Sequence, residues 1–390
     1  MRRDEFRQPL KRRSLRERLW AKRPSALQMT SCIAALSMIG AAAWVARMPN
    51  PYGGEPVVMV AIPPPEEIKT ASIAPAEETA PENQEETTEN QAPPAPPAEV
   101  EIEPEQTVDT GTSIIVSTKR SLPPAPIAIV TEEGPYGPLP VIGRGNKRPS
   151  EVYARSVPAG ITLSEAPKIA IVLGGMGLNA QLTQKAIAEL PGDVTFAFAP
   201  YGEDTQPLVN KARKNGHEIV LQIPMEPMGY PASNPGPKTL LASADKNANL
   251  DALTWHMGRF AGYTGIMNYM GGKLLSEPQA LQPILSEIRR RGLIYLDDGT
   301  SGRSMAGQVA KTVGLKLRTG HKVIDANADL KSISAALSEL EAEARVNGYA
   351  IGIGAGLDVT IDTVAQWARS LNDKGIILVP LSATFKGRQS

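Results

Sequence analysis

The C-terminal part of this sequence predicts an α/β fold, and three observations carry that prediction. After Pro167, short runs rich in β-branched and apolar residues alternate with amphipathic stretches of helical period. Capping residues stand ahead of two of those stretches, Asn179 and Asp204, and the glycines Gly216 and Gly292 stand behind two. The 35 prolines crowd into the first half of the chain, which leaves the second half free for regular structure.

The strand candidates are Ile169–Leu173, Val194–Ala199, Glu218–Ile223, Gly265–Asn268, Leu293–Leu296, Tyr349–Ile353 and Ile376–Val379. The helix candidates are Ala180–Leu190, Thr205–Asn215, Asn249–Phe260, Pro278–Arg291, Leu330–Val346 and Thr360–Leu371. Parallel strands joined by helical crossovers close into a barrel or stay an open sheet, and periodicity is compatible with both. In either form a site lies beyond the C-terminal ends of the strands.

Ahead of the domain the chain changes character twice. Residues 1–25 are strongly basic, and Ala26 to Ala46 is a run without a charge, followed by Arg47. As a helix that run crosses about 30 Å of hydrocarbon, and the basic flank places its N-terminal side in the cytoplasm. The expected location is therefore the inner membrane, single-pass, with the C-terminal domain in the periplasm. A cleaved signal peptide is the rival, since Ala41-Ala42-Ala43 offers small residues. Residues 47–167 are rich in Pro, Glu and Ala and read as a disordered linker, with Ser113–Val116 and Ile127–Val130 as pieces able to dock. The domain is expected over 168–390.

The 41 basic and 41 acidic side chains balance, so no nucleic-acid partner follows. Cys32 is the single cysteine, which excludes an intramolecular disulfide. The three histidines, His217, His256 and His321, limit imidazole chemistry.

The strand ends carry the candidate chemistry. Gly174, Gly175 and Gly177 follow the first strand without matching a phosphate-binding spacing, and a tight turn is the simpler account. Glu226 stands between Pro224-Met225 and Pro227, as an acid, base or ligand, or as a brace for the loop Met228–Lys238. Asp297 and Asp298 end the fifth strand, where paired carboxylates suit acid–base or metal work and equally suit helix capping. Bracing is expected of Glu226, and Asp297 is expected to face the cleft.

The runs Ile169–Leu173, Gln222-Ile223-Pro224-Met225-Glu226-Pro227, Pro235–Leu240, Asn268-Tyr269-Met270-Gly271, Leu296-Asp297 and Leu378–Ser382 occur in that order. Over Lys168 to Phe385 the chain resembles the divergent polysaccharide deacetylase family. The resemblance implies a distorted (β/α) barrel related to sugar N-deacetylases, in which zinc activates water against an acetamide and an Asp serves as base. It also implies which positions matter, and there the chain departs. Gly174 and Gly175 stand where the family pattern has paired Asp, Gln222 and Tyr269 where it has His, and Ala355 where it has the His of Gly-His-Pro. Zinc is therefore not expected, and whether the chain is an enzyme stays open. The expected role is a non-catalytic envelope module that binds a glycan or an envelope protein. One alternative is an active amide hydrolase with relocated ligands, Asp297, Asp298 and His321. The other is a purely structural interaction domain.

Overall fold

The computed structural model describes residues 120–385. The basic segment, the apolar run Ala26–Ala46 and the segment Ser113–Val116 lie outside the described residues. No helix among the described residues is long and apolar enough to cross a membrane.

The core of the fold is a nine-stranded parallel sheet. Its strands are β3 (Lys168–Met176), β4 (Thr195–Phe198), β5 (Ile219–Met225), β6 (Gly265–Met270), β7 (Ile294–Asp297), β8 (Leu317–Thr319), β9 (Lys322–Val323), β10 (Tyr349–Ala355) and β11 (Ile377–Leu378). The order is β8-β7-β6-β5-β4-β3-β10-β9, with β11 also on β3. The two end strands are neighbours in sequence, separated by Gly320 and His321, so the sheet curls until both edges reach one short segment. Gly320 N donates to Asp297 O at 2.8 Å and His321 N to Ile351 O at 2.8 Å, which stitches that seam. Ile351 N returns a bond to His321 Nδ1 at 3.1 Å. Gly320 is needed there, since a Cβ would lie 2.6 Å from Ile353 Cγ1 and 2.8 Å from Asp298 O.

Helices α3 (Ala180–Glu189), α4 (Thr205–Lys214), α5 (Lys246–Met257), α6 (Pro278–Arg290), α7 (Ala306–Val313), α8 (Leu330–Asn347) and α9 (Asp358–Arg369) follow strands and pack outside the sheet. Strand alternation sorts the side chains into two layers. Ile169, Ile171, Leu173, Phe196, Phe198, Ile219 and Leu221 face the helices in the large core. Ala170, Val172, Ala197, Val220, Met267, Leu296 and Ile351 face inward in a smaller one, which Val379, Leu381 and Ala383 plug from the C-terminal segment. Asn179 caps α3 by accepting from Leu182 N at 3.0 Å, as its sequence position predicts. Asp204 occupies the cap position of α4 without a capping bond from its side chain. Helix α7 and strands β8 and β9 are absent from the sequence expectation. The strands are too short for an apolar run, and α7 is built on small residues around Gly307.

The largest difference lies at the start. Residues 120–167, expected as linker, belong to the fold. They hold the hairpin β1 (Thr131–Gly134) and β2 (Gly137–Pro140), and the short helices α1 (Pro149–Val152) and α2 (Ala159–Leu163). Leu122, Val130, Leu139 and Tyr153 are buried, so the segment Ile127–Val130 does dock. Residues 120–155 pass beneath the N-terminal ends of the strands as a belt. Leu122 N donates to Arg213 O, and a Cβ on Gly258 would strike Tyr136 while one on Gly292 would strike Ile142. Three buried arginines hold the belt. Arg213 donates to Pro123 O, Tyr153 O and Gly262 O at 2.9 to 3.1 Å. Arg155 pairs with Asp193 at 3.0 Å and reaches Arg120 O and Gly216 O. Arg291 reaches Glu132 and Pro140 O. The belt and the C-terminal plug thus cover one end of the sheet, and the other end stays open.

Candidate functional site

The open end is a cleft of about 540 Å³ at the C-terminal ends of the strands. Its floor is set by strand register. Ala355 lies beside Gly174, Gln222 beside Met267, and Pro224 beside Tyr269. Gly174, Gly175, Gln222, Tyr269 and Ala355, the positions singled out by the family pattern, all line it. Gln222 occupies the space that the glycines leave. A Cβ at residue 174 would lie 2.7 Å from Gln222 Nε2, and Gly175 N donates to Gln222 Oε1 at 2.9 Å. Gly175 itself has φ +72°, which suits glycine and makes this the tight turn expected from the sequence.

Asp298, not Asp297, faces this cleft. Asp297 is turned away and braces the turn after β7. Its Oδ1 accepts from Gly299 N at 3.0 Å and its Oδ2 from Ser304 Oγ at 2.5 Å. Asp298 follows the inward parity of Leu296. Its Oδ1 accepts from Thr300 N at 2.9 Å and Thr300 Oγ1 at 2.7 Å, and its backbone N donates to Asn268 Oδ1 at 3.0 Å. Asn268 also donates to Met270 O at 2.8 Å, so it clamps the ends of β6 and β7 rather than lining the cleft. Asp325, which follows β9, is a second cleft carboxylate that sequence reasoning missed. Its Oδ2 accepts from Ala355 N at 2.7 Å and Thr360 Oγ1 at 2.9 Å. The signal for it is the Val-Ile-Asp run at 323–325, an apolar pair ending in an acid as at 295–298. Burial raises the pKa of both Asp298 and Asp325 above the usual carboxylate value.

Glu226 lies outside the cleft and braces, as expected. Its Oε2 accepts from Ala242 N at 2.6 Å and its Oε1 from Lys273 Nζ at 2.7 Å. The bond falls just beyond the loop Met228–Lys238, closing it at its base. Pro235 of that loop lines the cleft beside Tyr201. Tyr201 donates to Pro237 O at 2.6 Å and packs against Trp255 and His256. Burial keeps His256 neutral, with its pKa pushed down to about 4, and its Nε2 lies 2.8 Å from Lys238 O. His217 stacks on Phe196 at 4.0 Å and is buried in the core. His321 is spent on the seam. The set Asp297, Asp298 and His321 is therefore not gathered, and among the described residues no three His, Cys, Asp or Glu side chains converge as a metal ion would need.

One consequence is measurable in stability. An Asp with a raised folded pKa is penalised when charged, so its contribution to stability falls as pH rises from the unfolded value through the folded one. Asn at 298 keeps an acceptor for Thr300 and carries no charge. Asp298→Asn is expected to melt at the same or a higher temperature than the wild type near neutral pH, with the difference closing in acid. A clear loss of stability at neutral pH would show that the charge is compensated.

The curled parallel sheet, its outer helices and the position of the cleft define a deacetylase-like fold. The description "divergent polysaccharide deacetylase" matches residues 171–385, and the chain belongs to that family. An uncharacterized protein of Haemophilus influenzae is 26% identical over 204 residues, covering 52% of this chain and 72% of that one. The uncharacterized protein YibQ of Escherichia coli K12 is 25% identical over 207 residues, covering 53% of this chain and 64% of that one. The chain thus spans just under two thirds of YibQ. Among solved structures, the uncharacterized protein ATU2773 of Agrobacterium tumefaciens C58 shares 42% identity at a TM-score of 0.62, covering 64% of this chain and 99% of that one.

Proposed function

We propose that this chain is a membrane-tethered glycan-binding module of the cell envelope that carries the deacetylase fold without its hydrolytic chemistry. The observation that carries this reading is the interlocked floor of the cleft. Gln222 fills the space above Gly174 and ties up Gly175 N, where the family pattern puts paired Asp and His. Glycine and alanine offer no donor, and the Gln222 oxygen is already engaged. The residues present do not fit the zinc that the family implies, and no hydrolytic step is derived through it. What remains suits sugar recognition. Tyr269 and Tyr201 offer rings for stacking, and Asp298, Asp325 and Gln222 offer polar atoms at their edges. The basic flank and the apolar run Ala26–Ala46 support an inner-membrane anchor with the domain in the periplasm.

The test uses the full chain recovered from membranes. Added protease should reach residues 168–390 in spheroplasts. The purified chain is expected to hold sub-stoichiometric zinc, to release no acetate from acetylated amino-sugar oligomers, and to bind at least one oligosaccharide class measurably. Acetate release that disappears in Asp298→Asn would overturn the reading.

A further inference from the structure

We propose that the cleft selects a ligand carrying a primary ammonium group, a de-N-acetylated amino sugar, over the acetylated or neutral sugar. The proposal rests on the glycan reading above and concerns which glycan the site takes. It follows from three features of the cleft wall.

The first is charge. Among the described residues that line the cleft, Asp298 and Asp325 are the acids, and no Lys, Arg or His stands with them. No basic side chain acts electrostatically on either carboxylate. The neighbours that affect Asp298 are Thr300, Asn268 and Asp297, and those that affect Asp325 are Ala355, Thr360 and its own backbone N–H. Carboxylates in folded proteins are ordinarily paired when they leave water. Here the cation is missing from the protein.

The second is the state of the individual oxygens. The bonds from Thr300 fall on Asp298 Oδ1, and those from Ala355 and Thr360 fall on Asp325 Oδ2. Asp298 is 7% exposed and lines the cleft, so what its carboxylate keeps open is turned to that space. Gln222, 9% exposed, lines the same cleft with its Oε1 held by Gly175 N. The anchoring bonds fix the three side chains, so the site is pre-organised.

The third is shape and surface. Tyr269, Tyr201 and Leu178 provide apolar faces along the same wall. A sugar ring stacks on such faces, and a tyrosine face also attracts a cation. A primary ammonium brings three donors and a positive charge, which answers both carboxylates, while a ring hydroxyl accepts from Gln222 Nε2. An acetamide brings one N–H donor and no charge. It would leave at least one carboxylate desolvated without a counter-charge.

The test measures binding of glucosamine tetramer, its fully N-acetylated counterpart, cellotetraose and putrescine to the full chain at low ionic strength. The glucosamine tetramer is expected to bind at least about tenfold more tightly than each of the others. Asp298→Asn and Asp325→Asn should each weaken it by about tenfold or more without lowering the melting temperature. Equal or tighter binding of the acetylated tetramer would overturn this inference and leave the glycan reading standing. Putrescine binding as tightly as the tetramer would overturn the sugar half of the inference. Binding of the tetramer that neither Asn variant weakens would overturn the site assignment. Failure of all three oligosaccharides to bind would overturn the glycan reading itself.

Discussion

Arg213→Met is expected to lower the melting temperature of the domain by roughly 10 °C. Arg213 is fully buried at the end of α4, with three backbone carbonyls on its guanidinium and Tyr153 packed against it at 5.0 Å. Methionine fills much of the volume but donates nothing. The buried carbonyls of Tyr153 and Gly262 and the part-buried one of Pro123 would lose their donor at about 1–3 kcal/mol each, partly recovered where water can enter. A net cost of roughly 3–5 kcal/mol follows, offset in part because the buried guanidinium is itself expensive. Burial pulls the Arg213 pKa down to about 10, which shows that expense. The damage should be local first. Amide exchange over residues 122–153 should accelerate before exchange in β3 or β5 does. A thermal melt unchanged within about 2 °C would mean that the belt adds little to stability.

Glu226→Ala is expected to cost roughly 2–4 kcal/mol, the second largest effect. Glu226 is 2% exposed and joins three places, the end of β5, Ala242 ahead of α5, and Lys273 after β6. Its backbone joins them too, donating from N to Leu240 O and accepting from Lys273 N and Leu274 N. Truncation leaves the Ala242 amide without an acceptor and opens a void under the loop Met228–Lys238. Glu226→Gln keeps one acceptor and should recover about half of the loss. Denaturant titration of both variants checks the order. A Glu226→Ala variant as stable as Glu226→Gln would assign the stability to the backbone bonds alone.

Much of the fold is legible in the sequence because the sheet obeys a simple period. Every strand of four or more residues in the main sheet coincides with an apolar run, and most crossover helices show a clear apolar stripe. The same period reaches the site. Ala170 and Val172 point inward, and so does Gly174. Val220 points inward with Gln222, Met267 with Tyr269, Leu296 with Asp298, and Ile353 with Ala355. Parity alone therefore selects Asp298 over Asp297, and expecting Asp297 in the cleft overlooks it. The belt is illegible for the opposite reason. Its apolar hooks, Leu122, Val130, Leu139 and Tyr153, have no period. Their partners lie far along the chain, 90 residues away for Arg213 and Pro123. A proline-rich composition conceals such contacts, because a proline docked under a barrel and one in a free chain look the same in sequence.

The belt also decides how the domain meets a mechanical load. The chain enters at Arg120, on the pole opposite the cleft. The first bonds a pull along the chain would reach are Arg155 to Arg120 O and Leu122 N to Arg213 O. Neither belongs to the sheet. Tension would peel the belt contact by contact, as a zipper opens, and each released residue would add free length before any strand moved. The cleft would keep its geometry while the far pole gave way. Such a belt is a strain relief: it yields slack first and leaves the cleft undistorted.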